Sequence, residues 1–296
     1  MMEFKEQLGA YVQEIDRMLP AFLPEETGYQ KTLLSACDYS VINGGKRLRP
    51  LFMKLCYALC GGAAEKEASD LVPFMAAIEM IHSSSLVHDD LPCMDNDRLR
   101  RGKPSTWAKF GEDMGTLAGD GMMIYAFETA CKSQAPAEAK LAAIRVLAEK
   151  TGVYGMIGGQ SVDVQMTGKK PDAETLRYIY AHKTGALLEA AFMIGGILAG
   201  ASMETAGVLE RAAELIGMAF QIQDDILDVT ETAEVLGKSA GSDLRNEKTT
   251  WVTHYGMDAA KQDVQKNTDE AVRLLESVGN APFLIALCRF LVHRDH

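Results

Sequence analysis

Apolar residues recur at helical spacing along most of this chain. Residues 4–19 and 32–42 are amphipathic with that spacing, and residues 71–87 are almost continuously apolar. A helix that is apolar nearly all round must be largely buried. Proline and turn dipeptides are too sparse for an all-β protein, and no linker-like segment divides the chain. The pattern therefore predicts one all-α domain over residues 1–296.

The long apolar helix runs directly into a cluster of charges. Four carboxylates fall within residues 89–97, and four cations follow within residues 98–103. Carboxylates a few ångströms apart repel each other by roughly 1–4 kcal/mol per pair, and hard cations such as Mg²⁺ prefer oxygen ligands. Because the cluster ends a buried helix, we predict a metal site at the mouth of a helical cavity, with arginine and lysine available for an anion.

A second acidic cluster lies further along the chain. Gln221, Asp224, Asp225 and Asp228 fall at i, i+3, i+4 and i+7, which is one face of a helix whose other positions are mostly apolar. Like charges at i, i+4 destabilise an isolated helix. Three of them on one face of a buried helix therefore predict bound cations.

Other polar residues leave alternatives open. The segment Asn43–Pro50 joins two glycines to three cations, which suits either a phosphate seat at a helix start or an exposed basic loop. His82 shares a stripe with Ser85 and Asp89 at i, i+3 and i+7, which favours a cavity-facing histidine over one satisfied in the core. Lys183 lies in an apolar helix, so it either reaches out to water or binds an anion.

Residues 231–250 break the helical pattern with glycines and charges. We predict that this segment is a mobile flap that excludes water from the site. Lys238 and Lys248 would then lie near the end of the preceding helix.

The composition excludes several kinds of protein. The formal net charge of −11 argues against nucleic acid as a partner. The six cysteines show no zinc-ligand pairing and no secretory signal is evident, so we expect free thiols and a cytoplasmic location. The longest apolar run, residues 190–201, is too short to span a bilayer.

Together these features predict a particular chemistry. Two carboxylate clusters that face each other across an apolar cavity, with cations behind both, would hold a diphosphate through Mg²⁺, and the apolar wall would hold a hydrocarbon. A diphosphate joined to a hydrocarbon is an isoprenoid. Neither a Ser-His-Asp set nor a dinucleotide or P-loop glycine pattern is present. Catalysis would therefore be electrostatic, in a dry pocket that protects a carbocation.

Over essentially its whole length the chain resembles the trans-type isoprenyl diphosphate synthases, and most closely the bacterial farnesyl diphosphate synthases. The motifs that carry the resemblance stand in order at Gly44–Pro50, Asp89–Asp95, Arg100–Pro104, Gly159-Gln160 with Asp163, Lys183-Thr184, Gln221–Asp228, Lys238, Gly241, Asp243 and Lys248. The resemblance implies a bundle of long antiparallel helices around a central apolar cavity and a homodimer. It also implies three Mg²⁺ ions with the bound diphosphate, with Mn²⁺ able to substitute.

The resemblance also implies roles for individual residues. The metal ligands would be Asp89, Asp95 and Asp224, supported by Asp90, Asp225 and Asp228. The allylic diphosphate would be held by Arg100, Lys183 and Lys248, with Lys238 as a further candidate. The diphosphate of isopentenyl diphosphate would be held by Gly45, Lys46, Arg49, His82 and Arg101. Thr184 and Gln221 would line the path of the cation, and with Lys183 and Arg100 they form the expected catalytic set.

The expected product depends on the fifth residue before Asp89. Farnesyl-making relatives commonly carry a bulky aromatic there, whereas this chain has Ser84, with Ser85 beside it. Met80 and Ile81 would then form a deeper floor. Overall likeness predicts farnesyl diphosphate from dimethylallyl and geranyl diphosphates, and Ser84 predicts geranylgeranyl diphosphate as the alternative.

Three rival interpretations fit less well. A terpene cyclase would not need a second diphosphate seat, and a catalytically silent prenyltransferase subunit would be expected to lose one acidic motif. A calcium-binding loop at Asp95–Asp97 would need a glycine and a terminal glutamate at fixed offsets, and these are missing.

Overall fold

The computed structural model describes residues 2–230 and 249–292, which are mostly helical. This confirms the all-α prediction. The helices are α1 (Met2–Met18), α2 (Lys31–Ile42), α3 (Leu48–Leu59), α4 (Ala64–Lys66), α5 (Val72–Asp89), α6 (Thr106–Phe110), α7 (Glu112–Cys131), α8 (Ala137–Thr151), α9 (Met156–Gln165), α10 (Ala173–Ile179), α11 (Ala186–Leu198), α12 (Met203–Thr230), α13 (Trp251–Tyr255), α14 (Met257–Val278) and α15 (Pro282–Val292).

Three short helical pieces and one hairpin complete the described structure. A 3₁₀ turn follows α1 at Leu19–Phe22, and π-helical turns lie at Glu67–Leu71 and Tyr180–Gly185. The strands β1 (Leu99–Arg100) and β2 (Lys103–Pro104) pair antiparallel, with Arg100 opposite Lys103. None of the described helices combines the length and apolar character that a membrane crossing needs.

The chain divides into two compact units. The first takes the residues up to 145 together with 197–200, and the second takes 146–196 and the residues from 201 onward. The single domain predicted over residues 1–296 stays a prediction. The predicted flap lies outside the described residues except for Thr249 and Thr250, and so do Lys238 and Lys248.

In the first unit, α5 forms the centre of the core. Most of its residues are buried, as its apolar sequence requires, and it packs against α7. The helices approach closely because α7 carries a glycine on the facing side: a Cβ on Gly119 would overlap the imidazole of His88. Gly115 allows a similar approach to α6, where a Cβ would lie 2.9 Å from Cβ of Trp107. This packing fixes the end of α5, where the first acidic motif begins.

In the second unit, α12 packs along α14 and against the π-helical turn Tyr180–Gly185. That turn interrupts an otherwise continuous helix from α10 to α11. Glycines again permit close contact, because a Cβ on Gly217 would lie 3.0 Å from Cα of Gly185 and one on Gly159 would overlap the backbone of Lys183. Extra residues in a helical turn are frequent at functional sites.

Candidate active site

The first acidic motif wraps around the end of α5. Asp89 is the last residue of the helix and Asp90 caps it, whereas Asp95 lies in the exposed turn that follows. The turn folds back by backbone hydrogen bonds, 2.9 Å from Asp95 N to Asp89 O and 3.1 Å from Asp97 N to Asp90 O. The chain thus presents two half-buried or exposed carboxylates beside one that is buried.

The buried carboxylate is paired with an arginine of the hairpin. Asp90 is 2% exposed and accepts hydrogen bonds from Arg100 Nε, at 3.0 and 3.2 Å, and from Arg100 Nη2. Burial raises the pKa of the Asp90 carboxyl, and the Arg100 charge opposes that rise. The predicted anion-binding Arg100 therefore stands directly against the first acidic motif.

Most of the predicted diphosphate seat comes together in the same unit. The guanidinium of Arg101 lies over Gly45, where a Cβ would approach Arg101 Nη2 to 2.8 Å, and it donates to the Gly44 carbonyl. Burial lowers the pKa of Arg49, and burial together with the charges of Arg49 and Arg101 holds the pKa of His82 well below its usual range. The side chain of Lys46 is exposed at the edge of this group.

Arg47 and Glu79 hold this seat in place, and the sequence motifs assign a site role to neither side chain. Arg47 is 3% exposed and has a left-handed backbone, φ 49°; it donates to Glu79 at 2.6 Å, to Asp16 at 2.7 Å and to the Val41 carbonyl at 2.8 Å. Glu79 lies in the middle of α5 and is 2% exposed. It is the only charged residue in the apolar stretch 72–87, and a lone buried acid requires a cation, so this signal was present in the sequence.

The second acidic motif lines a cavity of about 260 Å³ in the second unit. Asp224, Asp225 and Asp228 reach it from one face of α12, as their spacing predicts. Its polar lining comes from α9 and the loop after it, the π-helical turn, α12 and the two residues before α13, namely Asp163, Thr167, Lys169, Tyr180, Lys183, Thr184, Gln221, Asp224, Asp225, Asp228, Thr249 and Thr250.

Lys183 is held by the carboxylate of Asp163. Its ammonium donates to Asp163 Oδ2 at 2.5 Å, from the π-helical turn across to α9. The Lys183 side chain is 28% exposed and lines the cavity. Lys183 therefore sits at the cavity with an anion beside it, and it is not a lysine that reaches out to bulk water.

Asp225, the second aspartate of this motif, is buried and hydrogen-bonded. It is 5% exposed, and its Oδ2 accepts a hydrogen bond of 2.6 Å from the Tyr180 hydroxyl and one of 2.7 Å from the backbone N–H of Trp251. One carboxylate oxygen thus ties α12 to the π-helical turn and to the start of α13.

The donor set fits a hard divalent cation that is shared with a ligand. Within residues 2–230 and 249–292, no three Asp, Glu, His or Cys side chains lie close enough to hold a metal ion by themselves. Mg²⁺ usually keeps several waters and uses one or two carboxylates together with substrate phosphates. Carboxylate oxygens beside a lysine in the α12 cavity match that pattern. That the two acidic motifs face each other stays a prediction.

Comparison with known proteins decides the family. The family model described as polyprenyl synthetase matches residues 30–281. The chain belongs to the polyprenyl synthetase family. It is a transferase of the short-chain prenyltransferase type, as its motifs predict.

Several relatives of this polyprenyl synthetase are named as geranylgeranyl diphosphate synthases. The chain is 43% identical to the chloroplastic geranylgeranyl pyrophosphate synthase of Capsicum annuum, covering 88% of this chain and 71% of that protein. It is 42% identical to the geranylgeranyl diphosphate synthase of Cyanophora paradoxa, covering 87% and 86%. An FPP/GFPP synthase structure from Zymomonas mobilis matches with a TM-score of 0.86 at 32% identity, covering 98% and 99%.

The residues predicted to set chain length differ in how far they are buried. Met80, Ile81 and Ser84 are buried, at 1%, 0% and 0% exposure, whereas Ser85 is only half-buried. The Ser84 hydroxyl donates back to the Ile81 carbonyl at 2.8 Å, so its hydrogen bond stays within α5.

Proposed function

We propose that this protein condenses isopentenyl diphosphate with allylic diphosphates to make geranylgeranyl diphosphate. The observation that carries the product assignment is Ser84, a small and fully buried residue five positions before Asp89. The names of the relatives support the same product. They favour it over farnesyl diphosphate, which overall likeness predicted.

The first unit would hold the diphosphate of isopentenyl diphosphate. Gly45 lets the Arg101 guanidinium lie against the backbone, and Arg49 and His82 lie beside it with Lys46 at the rim. Arg49 Nε is buried and donates to no acceptor among the described residues, so its N–H is available to a phosphate oxygen. With the pKa of His82 lowered, its imidazole is neutral at pH 7 and donates one N–H without adding charge.

The allylic diphosphate would be bound through Mg²⁺. We assign Asp89, Asp95 and Asp224 as direct ligands, Asp90, Asp225 and Asp228 as supporting groups, and Arg100 and Lys183 as cations that contact the diphosphate, with Lys238 and Lys248 as further candidates outside the described residues. Bound Mg²⁺ stabilises negative charge on a leaving diphosphate. Lys183, Thr184 and Gln221 line the cavity. There the Lys183 ammonium would stabilise the charge of the leaving diphosphate, and Thr184 and Gln221 would line the path of the carbocation.

The proposal extends to the oligomeric state and the cellular location of the enzyme. We propose a homodimer, and the exposed apolar residues Leu117 and Ile124, seven positions apart on α7, support an interface there. A cytoplasmic location follows from the expected reduced cysteines. Sedimentation of the purified protein tests the dimer.

Product analysis tests the function. Purified protein is incubated with isopentenyl diphosphate, Mg²⁺ and dimethylallyl, geranyl or farnesyl diphosphate in turn, and the products are sized by chromatography. We expect a twenty-carbon product from all three primers. Accumulation of a fifteen-carbon product, with no reaction of farnesyl diphosphate, would restore the farnesyl assignment; a product made without isopentenyl diphosphate would indicate a cyclase.

A further inference from the structure

Tyr180 lies three residues before Lys183 and belongs to none of the motifs named above. It is the first residue of the π-helical turn that carries Lys183 and Thr184, and it is 7% exposed. Its ring packs near Trp251, with centroids 6.1 Å apart, in a buried cluster with Ile222 and Ile226 of α12. The ring is therefore fixed by packing, and its hydroxyl points at Asp225.

A buried tyrosine hydroxyl needs a hydrogen-bond partner, and here that partner is a carboxylate of the second acidic motif. The hydroxyl donates to Asp225 Oδ2 at 2.6 Å, and the Trp251 N–H donates to the same oxygen at 2.7 Å. A hydrogen bond to a carboxylate is stronger than one between neutral groups, and it fixes the rotamer of the side chain that accepts it. Asp225 adjoins Asp224 in the chain, and it lies four residues from Gln221 and three from Asp228 on the same helix.

We propose that Tyr180 is a positioning residue for the metal–diphosphate site. By fixing Asp225 against the π-helical turn, it sets the position of Asp224 and Asp228 on α12 relative to Lys183 on that turn. The inference rests on the proposed function, because it assumes that Mg²⁺ and a diphosphate bind at these carboxylates. Tyr180 lines the same cavity, and the proposed effect on the ligand is exerted through Asp225.

The chain offers a close control for a test. Tyr178 lies two residues earlier, is half-buried, and stacks on His182 with ring centroids 4.0 Å apart. Tyr180→Phe and Tyr178→Phe each remove one hydroxyl and keep the ring, but only the first removes a hydrogen bond to Asp225. Both variants are made in the full chain and compared by thermal unfolding.

Calorimetric titration of inorganic diphosphate into each protein, in excess Mg²⁺, measures binding without turnover. We expect Tyr180→Phe to weaken binding about tenfold, because an Asp225 side chain that is no longer fixed must be ordered when the ligand binds. Tyr178→Phe should bind like the wild type. In an Asp225→Ala background, Tyr180→Phe should have no further effect, because the group that it fixes is gone.

Several outcomes would overturn the inference. They are unchanged or tighter diphosphate binding in Tyr180→Phe, equal weakening in Tyr178→Phe, or a full additional loss in the Asp225→Ala background. A merely structural role would lower the melting temperature and leave the affinity of the folded protein unchanged. If the wild type itself binds no diphosphate with Mg²⁺, the proposed function fails first, and that result is distinct from a variant that matches a binding wild type.

Discussion

The two acidic motifs look alike in sequence but are built differently. In the first, Asp89 and Asp90 end α5 and Asp95 lies in the turn beyond it, whereas Asp224, Asp225 and Asp228 all lie within α12. The second Asp of each pair is buried in both motifs. The two motifs can therefore be compared by the groups that bond this buried carboxylate.

In the first motif the buried carboxylate meets a charge, and in the second it meets neutral donors. Asp90 is bonded by the Arg100 guanidinium, and Asp225 by a tyrosine hydroxyl and a peptide N–H. An arginine cancels the charge of its partner, while neutral donors leave the negative charge in place. Each motif therefore contains one buried aspartate, which is bonded by an arginine in the first unit and by two neutral donors in the second.

The largest expected effect comes from removing an exposed or half-buried carboxylate of either motif. Asp89→Ala or Asp224→Ala should each lower turnover by several orders of magnitude, at about 1.4 kcal/mol of barrier per tenfold. Steady-state kinetics measure the loss, and circular dichroism should show that the fold survives. Glu128→Ala, at an exposed acid on α7 outside both motifs, is the control and should change turnover only slightly. Turnover like the wild type in either motif variant would remove that carboxylate from the proposed metal site.

The reliance of the first unit on buried ion pairs can be tested at Glu79. Glu79→Gln should lower the free energy of unfolding by about 3 kcal/mol, because Arg47 is then left buried with less compensating charge. Denaturant titration measures this. Asp16→Asn removes the other carboxylate on Arg47, but Asp16 is 44% exposed, so it should cost less than about 1 kcal/mol. Equal losses in both variants would contradict the special role of the buried pair.

Much of this architecture could be predicted because it depends on local patterns. The apolar run at 71–87 indicates a buried helix, and the i, i+3, i+4, i+7 spacing places the second acidic motif on one face of α12. Helical geometry alone fixes both results. The predicted seat at Gly45, Arg49, His82 and Arg101 also comes together, although its parts come from three separate segments.

The partners of the buried charges could not be predicted, because they join residues far apart in sequence. Asp225 is 45 residues from Tyr180, and Arg47 is 32 from Glu79. Sequence spacing shows that a buried acid needs a partner and does not show which one it has. The π-helical form of the turn at Tyr180 likewise depends on close contact with α9 and α12, which no local pattern records.

The cationic seat in the first unit should make stability depend on pH through His82. Burial, with the neighbouring arginine charges, holds the pKa of His82 well below 6.5. As pH falls below 6.5, the unfolded chain therefore binds a proton that the folded protein excludes, and stability falls by up to about 1.4 kcal/mol per pH unit. Denaturant titrations at several pH values should show this slope for the wild type and not for His82→Asn.

Asp38 titrates in the same pH range as His82, so the wild type and its variants are compared with one another in that experiment. Burial raises the pKa of Asp38 from 3.8 to about 6, so the folded protein binds its proton more readily and gains stability as pH falls through that range. This opposes the His82 effect in every variant alike. His254→Asn, at an exposed position on α13, is the matched control and should keep the wild-type slope. A slope in His82→Asn equal to the wild type would show that His82 does not govern this dependence.

The smallest change in rate, and the clearest change in product, is expected at Ser84. Ser84→Tyr adds a large side chain at a position with 0% exposure, so it should shorten the space for the growing hydrocarbon and shift the product from twenty to fifteen carbons. Overfilling a packed helix interface costs about 1–3 kcal/mol, which the thermal unfolding of the variant should show. Ser84→Ala removes the hydroxyl bonded to Ile81 without adding volume, and it should leave the product unchanged. If Ser84→Tyr folds, turns over and still gives the wild-type product distribution, Ser84 does not form the floor, and the deeper Met80 and Ile81 become the residues to enlarge.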